Sequence, residues 1–398
     1  IYSKEDLIIN GNGTLNVNAG YRNGIKSTDD CIIVSGTLNI TSTEDGIIGK
    51  DLCGVVAGDI NINAGSDGIK STYDTDTTKG NVIIEGGNIT IKASNDGIQA
   101  ENILVINDGA INIKTNNGAA DTTQTHIDNM DMGRGGFGFN NNKTTTTTDD
   151  TSESRKGIKA GNMLIINDGD ITIDSDDDSV HCNSVIYIYG GTINAATGDD
   201  GVHADDLLTV NGGTINITQC YEGIEADDIV INDGDISVVS SDDGINSSDG
   251  SITINGGNLL INASGDGLDA NGSIIINGGY IVVLGPTSDG DTAIDYDDSC
   301  TINGGTVMAF GSSGMLEIPK GASNGACIVT AFTSVSGGSK YTLSDSNGNE
   351  ILSYTPSKAY AAAIVYSDKI TTGNTYDITA GSTTLSIEVT SDVTSNVS

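Results

Sequence analysis

The block Asp199-Asp-Gly-Val-His-Ala204 returns as Tyr221-Glu-Gly-Ile-Glu-Ala226, then as Asp242-Asp-Gly-Ile-Asn-Ser247 and Gly265-Asp-Gly-Leu-Asp-Ala270. Earlier copies are Arg155-Lys-Gly-Ile-Lys-Ala160 and Asp177-Asp-Ser-Val-His-Cys182. The third residue of each block, here called the marker residue, falls at positions 157, 179, 201, 223, 244 and 267. The steps are 22, 22, 22, 21 and 23 residues. A nearly fixed period of this length, with no room for a helix, predicts a β-solenoid.

Each repeat has room for three short strands. A second marker such as Asn211-Gly-Gly precedes Thr214-Ile-Asn-Ile217, where apolar residues alternate as in a half-buried strand. The block itself supplies another strand, and segments such as Leu208-Thr-Val210 supply the last. Three short parallel strands per coil predict an all-β parallel β-helix, a filled triangular prism of about twelve coils.

Composition supports this fold and excludes some functions. The 398 residues include 54 Gly and no Trp, which favours strands and tight turns over a large globular core. The net charge of −37 is carried mainly by Asp, and it excludes nucleic acid as a partner because phosphate binding needs Lys and Arg patches. No run of apolar residues is long enough for a membrane span. A solvated surface and a cation-loaded surface both explain the acidity.

The repeat also predicts the domain organisation. We expect a β-helix over residues 1–317, interrupted by a low-complexity insertion at 115–156, and a C-terminal β segment over 318–398 that packs on or caps the last coils. The outward residues Leu260, Val282 and Met308 become apolar near the end of the repeats, and such a surface needs a cover. In the insertion, Phe137 and Phe139 could stack on a sugar or simply pack on their own coil.

The chain starts partway through a repeat, so its first coil is open in this sequence. Unpaired backbone groups there would invite another chain, which makes end-to-end self-assembly a possible property. Cys31 and Cys53 lie 22 residues apart and hence one coil apart. The sequence is compatible with two interpretations of this pair, two buried free thiols or a disulfide bond.

Two columns of carboxylates flank the strand of the block, and they predict calcium sites. Coils stack about 4.8 Å apart, so like charges would lie over one another unless water or a cation screens them. Ca²⁺ takes about six to eight oxygens, which carboxylates of adjacent coils can supply. A turn alone needs one Asp before Gly rather than two. The candidate metal ligands are Asp177, Asp178, Asp199, Asp200, Asp205, Asp206, Asp227, Asp228, Asp242, Asp243, Asp266, Asp269, Asp291 and Asp295.

An outward, mostly polar column runs between the two acidic columns, at the fifth residue of each block. We call it the x column, and its candidate substrate-binding residues are Lys159, His181, His203, Glu225 and Asn246. His181 and His203 would stack one coil apart and could bind a transition metal. We favour exposed polar residues here, because the sequence shows no close-packed set of further His or Cys ligands.

Several segments resemble a known family. They are Asn211-Gly-Gly-Thr-Ile-Asn-Ile217, Ser241-Asp-Asp-Gly-Ile-Asn246, Gly314-Met, Pro356-Ser-Lys-Ala-Tyr360 and Thr371–Tyr376. Together they resemble the clostridial carbohydrate-binding β-helix proteins, over nearly the whole chain. That resemblance implies a right-handed parallel β-helix, secretion or a cell-surface location, bound Ca²⁺, and binding of plant cell-wall polysaccharide, acidic sugars included. The family in turn resembles calcium-dependent pectate lyases, which use an Asp-Asp-Gly-x-Asp cluster and a Lys base.

Three functions follow as hypotheses. The leading one is a protein that binds acidic, polygalacturonate-like or neutral polysaccharide through calcium held by the acidic columns. The alternatives are a structural fibre or adhesin subunit, and a polysaccharide lyase with Lys159 as general base. No coil carries all three acids of the lyase cluster: Asp242 and Asp243 are followed by Asn246. This departure favours binding over cleavage, so no catalytic residue is assigned.

Overall fold

A computed structural model describes residues 1–120 and 154–397, and it confirms the predicted fold, a right-handed parallel β-helix of about 13 turns. The described residues are almost entirely strand and turn, with one short 3₁₀ helix at Gly118–Ala120. The strands are numbered along the chain, and those of the coils form three faces.

Face 1 holds the strands of the block. They are β1 (Tyr2–Ser3), β4 (Ile25–Ser27), β7 (Ile47–Gly49), β10 (Ile69–Ser71), β13 (Ile98–Ala100), β16 (Ile158–Ala160), β19 (Val180–Cys182), β22 (Val202–Val210), β24 (Ile224–Ile231), β26 (Ile245–Ser247), β29 (Leu268–Ala270) and β32 (Ile294–Tyr296).

Face 2 follows it in each coil, and β22 and β24 run through both faces. Its other strands are β2 (Leu7–Ile9), β5 (Cys31–Ile33), β8 (Leu52–Val55), β11 (Asn81–Ile84), β14 (Ile103–Ile106), β17 (Met163–Ile166), β20 (Val185–Ile188), β27 (Ile252–Ile254), β30 (Ser273–Ile276), β33 (Ser299–Ile302) and β35 (Gly321–Ala322).

Face 3 holds the longer strands that follow the Gly-Gly marker. They are β3 (Thr14–Ala19), β6 (Thr37–Ser42), β9 (Asp59–Ala64), β12 (Asn88–Ala93), β15 (Ala110–Thr115), β18 (Asp170–Ser175), β21 (Thr192–Thr197), β23 (Thr214–Cys220), β25 (Asp235–Ser240), β28 (Asn258–Asn262), β31 (Tyr280–Leu284) and β34 (Thr306–Gly311).

The last strands leave the repeat. They are β36 (Ala326–Val335), β37 (Tyr341–Asp345), β38 (Glu350–Tyr354), β39 (Tyr360–Ser367), β40 (Thr375–Ala380), β41 (Thr383–Glu388) and β42 (Val393–Ser395). β39 pairs antiparallel with β34 and so continues face 3, while β37, β38, β40 and β41 form a separate four-stranded sheet.

Coils stack in register, so each position lies beside its copy in the next repeat. Ile69 pairs with Ile98, and Ile98 pairs with Ile158 across the insertion. The insertion therefore leaves the register of face 1 unchanged. Inward Ile, Leu and Val of all three faces form one continuous core, and each buried side chain of this kind contributes about 1.5–3 kcal/mol. The expectations for Phe137 and Phe139 lie outside the described residues.

The apolar outer positions near the end of face 3 are largely covered. Val282, Met308 and Phe310 are almost fully buried and share a second core with Tyr341 and other C-terminal residues. Leu260, one coil earlier, stays 40% exposed. The C-terminal strands thus shield the last two coils of this surface rather than the whole apolar stretch.

Cys31 and Cys53 are in register on adjacent strands, yet both are free and buried, as are the other four cysteines. Burial raises the pKa of the Cys31 thiol to about 12. No helix in the described ranges, 1–120 and 154–397, is long and apolar enough to cross a membrane.

The marker residue is glycine in most coils because the next coil comes too close for a side chain. A Cβ at Gly97 would lie 2.4 Å from Ile113 Cγ2 and 2.5 Å from the carbonyl oxygen of Gly157.

We expect Gly97→Ala to destabilise the fold by about 1–3 kcal/mol, since neither the packed Ile nor the paired backbone can yield freely. Calorimetric melting measures this cost. Gly290→Ala is the control, because a Cβ there meets nothing within 4 Å. Equal melting temperatures for the two variants would contradict the packing argument.

Candidate functional site

The residue directly before each marker residue forms a hydrogen-bonded column that we call the ladder. Its members in chain order are Asn23, Asp45, Asp67, Asp96, Lys156, Asp178, Asp200, Glu222, Asp243, Asp266 and Thr292. The Oδ1 atom of most ladder carboxylates accepts a bond from the backbone N–H of the next member. Asp96 donates to Asp67 at 3.0 Å, Asp200 to Asp178 at 3.1 Å and Asp266 to Asp243 at 2.6 Å. One oxygen thus serves the turn, and the second remains for another partner.

In two of the earlier coils, those of Asp67 and Asp178, a lysine pairs with the second oxygen. Asp67 Oδ2 lies 2.7 Å from Lys70 Nζ. Lys156 Nζ lies 2.5 Å from Asp178 Oδ2 and 2.8 Å from Asp177 Oδ1, and its side chain is only 14% exposed. Burial alone raises the pKa of Asp178, but Lys156 and His181 outweigh burial and hold that pKa well below its usual range.

Two histidines take over this role in the next coils. His181 Nδ1 lies 2.8 Å from Asp178 Oδ2, and His203 Nδ1 lies 2.9 Å from Asp200 Oδ2. The two histidines are in register one coil apart, as the x column predicts, with ring centroids 4.9 Å apart and ring planes tilted by 47°. Glu225 Oε2 is 3.0 Å from His203 Nδ1. Burial lowers the pKa of His203, but bonds to Asp200, Asp205 and Glu225 outweigh it and raise the pKa well above the usual value.

The later coils carry carboxylates without such partners. Oxygens of Asp243, Asp266 and Asp269, which we call the acidic cluster, lie within 4.8 Å of one another. Within residues 1–120 and 154–397, no Lys, Arg or His forms an ion pair with these three residues. Burial, then repulsion by neighbouring carboxylates, raises the pKa of Asp243 to about 9. Burial is also the main cause that raises the pKa of Asp266 and of Asp269 to about 7.

Five further predicted metal ligands lie close to the ladder, in two groups. Asp242, Asp291 and Asp295 surround the acidic cluster and add to its negative potential. Asp177 and Asp199 adjoin Asp178, where Lys156 already lies.

The second acidic column is more exposed and is bonded to serines. Asp206 Oδ2 accepts from Ser184 Oγ at 2.6 Å, and Asp228 Oδ1 accepts from the Ser251 N–H at 2.9 Å. Asp205 is half-exposed and faces His203, and Asp227 accepts from a serine hydroxyl. The structure therefore does not bring Asp205, Asp206, Asp227 and Asp228 into the acidic cluster.

The predicted substrate-binding residues are aligned in register but have different partners. Lys159 lies beside His181 in the strand register, and the column continues through His203 and Glu225 to Asn246. Lys159 Nζ lies 3.2 Å from Ser154 Oγ, and Asn246 Nδ2 donates to Glu222 Oε2 at 2.9 Å. Lys159 is four coils from Asn246, hence about 19 Å along the axis.

Sequence reasoning missed Lys156, Glu222 and Asp176. Lys156 and Glu222 stand at ladder positions, directly before the marker residues 157 and 223. The alignment of the blocks would have found them if every charged residue, and not Asp alone, had been followed in that column. Burial, then Glu225, raises the pKa of Glu222 to about 8. The ladder therefore carries a carboxyl group with a raised pKa one coil before Asp243, whose pKa is raised as well. Asp176 is fully buried and pairs with Arg155 at 2.7 Å. A further group, Asp6, Asp29 and Asp30, lies near the start of the chain.

The buried ion pairs of Lys156 generate a stability prediction. We expect Lys156→Met to lower the free energy of unfolding by about 3–5 kcal/mol, because Asp177 and Asp178 lose their shared cation. Lys159→Met is the matched control, since within the described ranges the Lys159 ammonium group makes a hydrogen bond to a serine and no ion pair. Chemical unfolding of both variants at neutral pH measures the difference, and similar losses in both would show that Lys156 does not neutralise this part of the ladder.

The acidic cluster generates a pH prediction. Its carboxyl groups bind protons more tightly in the folded chain than in the unfolded chain, where the pKa of an Asp carboxyl is near 3.8. Without metal, stability should therefore fall as the pH rises from about 4 towards 9. Asp243→Asn keeps the Oδ1 acceptor of the ladder and removes the charge, so its melting temperature should fall less steeply. Calorimetry in chelator at several pH values compares it with Asp170→Asn, an exposed control. Parallel curves for all three proteins would contradict the prediction.

Comparison with known proteins places the chain in a family. Neither the curated proteins nor the solved structures give a significant match. A family model described as carbohydrate-binding domain-containing protein matches twice, over residues 1–201 and 199–388. These matches span nearly the whole chain, so the protein belongs to the family of carbohydrate-binding domain-containing proteins.

Proposed function

We propose that the protein binds an acidic polysaccharide through Ca²⁺ held by the acidic cluster of face 1. Family membership supports the carbohydrate-binding role. The observation that carries the calcium part is the lack of ion-pair partners at Asp243, Asp266 and Asp269 among the described residues. Earlier in the ladder, Asp67, Asp178 and Asp200 do have Lys or His partners.

The residues of the acidic cluster fit calcium. They offer only oxygen donors, which is the ligand type that Ca²⁺ prefers. Asp243 and Asp266 each use Oδ1 in the ladder, which holds the carboxylate in place while its other oxygen stays available. Burial, and after it repulsion by neighbouring carboxylates, raises the pKa of Asp243, and a divalent cation would relieve that repulsion. Asp242 and Asp295 stand beside the cluster and would complete the shell together with water or a ligand.

Net charge favours a metal bridge if the partner is acidic. A protein of charge −37 repels a polyanion unless a cation lies between the two. Ca²⁺ with part of its shell filled by water can accept a uronate carboxylate or sugar hydroxyls in place of that water. The coil spacing would present such sites in a row along face 1, where an extended chain can lie. An extracellular location, where Ca²⁺ is abundant, suits this mode of binding.

The lyase alternative receives no support from the described residues. Abstraction of a proton needs a base within hydrogen-bond reach of the sugar bound to the metal. Lys159 lies four coils from the coil of Asp243, at about 19 Å, and its Nζ contacts Ser154. Self-association into a fibre remains a separate proposal, tested by the size of the native protein in solution.

Affinity electrophoresis tests the proposal. We expect polygalacturonate in the gel to retard the protein with Ca²⁺ and not with chelator, and a neutral glucan to retard it less. The Asp243→Asn, Asp266→Asn double variant should lose at least about tenfold in affinity, because two charged ligands become neutral amides that preserve the ladder bonds. Asp170→Asn is the control, since it removes a charge from an exposed site on face 3.

The outcomes separate the parts of the proposal. Retardation that survives chelation and metal removal would reject the calcium bridge. Retardation on the neutral glucan alone would reject the acidic ligand and retain carbohydrate binding. Equal losses in the double variant and in Asp170→Asn would place the binding surface elsewhere on the protein.

A further inference from the structure

A pair of histidines lies earlier on face 1, at positions of different chemistry from the acidic cluster. They are His181 and His203, the two histidines in the described part of the chain, and they lie one above the other on adjacent coils. The pair stands apart from the acidic cluster, because the coil of Glu225 separates His203 from the coil of Asp243 and Asn246, and Asp269 lies one coil further on.

Buried carboxylates fix the orientation of both rings. Asp178 is 2% exposed and Asp200 6% exposed, and each contacts the Nδ1 atom of the histidine three residues later. A histidine that donates Nδ1–H to a carboxylate presents Nε2 as a metal ligand, and the carboxylate strengthens that nitrogen as a donor. Both Nε2 atoms therefore point away from the ladder, in the same direction along their strands.

An oxygen donor lies next to each of these nitrogens. His181 Nε2 is 2.9 Å from Asn183 Oδ1, and His203 Nε2 is 3.4 Å from Asp205 Oδ1. Asn183 and Asp205 follow the paired Cys182 and Ala204, so they too belong to adjacent coils at equivalent positions. Two adjacent coils thus each present one imidazole nitrogen and one side-chain oxygen at equivalent positions of the surface.

We propose that His181 Nε2, His203 Nε2, Asp205 and Asn183 form a binding site for a divalent transition-metal ion, with Zn²⁺ as the first choice. The set of two nitrogens and two oxygens suits Zn²⁺, Ni²⁺ or Cu²⁺ and not Ca²⁺, which takes oxygen ligands. Zn²⁺–N bonds are about 2.0–2.1 Å long, so binding draws the two rings and the two oxygens together.

The position of the site suggests what the ion does. It ties two successive coils together at the exposed edge of face 1, and the exposed Asn183 and Asp205 leave it open to a further ligand from solvent. The ion would also lie next to a compensated part of the ladder, where Lys156 pairs with Asp178 and the histidines bond to Asp178 and Asp200 through Nδ1. The site therefore does not depend on calcium in the later coils.

Zinc titration by calorimetry tests the inference. The protein is first stripped with chelator and then kept in excess CaCl₂, so that oxygen sites are filled. We expect one equivalent of Zn²⁺ to bind under these conditions. His181→Ala and His203→Ala should each weaken binding by at least about tenfold, and Asp205→Asn should weaken it because a charged ligand becomes neutral. Asn246→Ala, in the same column two coils after His203, should bind Zn²⁺ as the wild type does.

Co²⁺ provides a second readout that does not depend on heat. Bound at this site it should show visible absorption bands that are absent in the double variant His181→Ala, His203→Ala. Circular dichroism verifies that each variant is folded. The inference is overturned if no Zn²⁺ binds in CaCl₂, if the double variant binds as the wild type does, or if Asp243→Asn abolishes the binding, since the ion would then lie in the acidic cluster.

Discussion

In-register stacking of coils is the constraint on which the rest of the structure depends. A parallel β-helix places each residue directly beside its copy in the next repeat, about 4.8 Å away. For Ile69, Ile98 and Ile158 this arrangement is favourable, because like side chains pack into one continuous core. The same rule leaves no room at Gly97 and its equivalents, where the next backbone lies against the Cα. Core, turns and period thus have one common cause.

Stacking is unfavourable for charge, and the ladder shows how the chain manages it. The Oδ1 atom of each Asp in the ladder accepts a hydrogen bond from the backbone N–H of the next coil, and the carboxylate adds a negative charge to the column. An Asn would accept the same bond without the charge, as Asn23 does for Asp45. The repeated choice of Asp therefore points to a second role for the carboxylate. Lys70 and Lys156 fill that role where they stand.

The sequence predicts what depends on the period and fails where contacts depend on individual side chains. Alignment of the marker residues was enough to predict the coils, the three faces and the position of His181 and His203 on adjacent coils. Lys156 was overlooked although its block was aligned with the others, because the acidic columns were defined by carboxylates and a lysine at the same position was not interpreted as their counter-charge. The direction of each imidazole follows from a buried carboxylate three residues earlier, which spacing alone does not reveal. The order of β34, β39, β36 and β42 was not predicted either, because that segment has no repeat.

The x column determines which cation can balance each ladder acid. In the coil of Asp67 it carries Lys70, an ammonium group that pairs directly with the carboxylate. Two histidines follow further along, and their nitrogens suit a transition metal. Beyond Glu225 and Asn246 come Asp269 and Asp295, which add negative charge and leave only oxygen donors. Because the backbone is the same in every coil, one substitution in this column is enough to change the ligand chemistry of a coil. The solenoid can therefore present different ligand chemistries in sequence along one face without any change of fold.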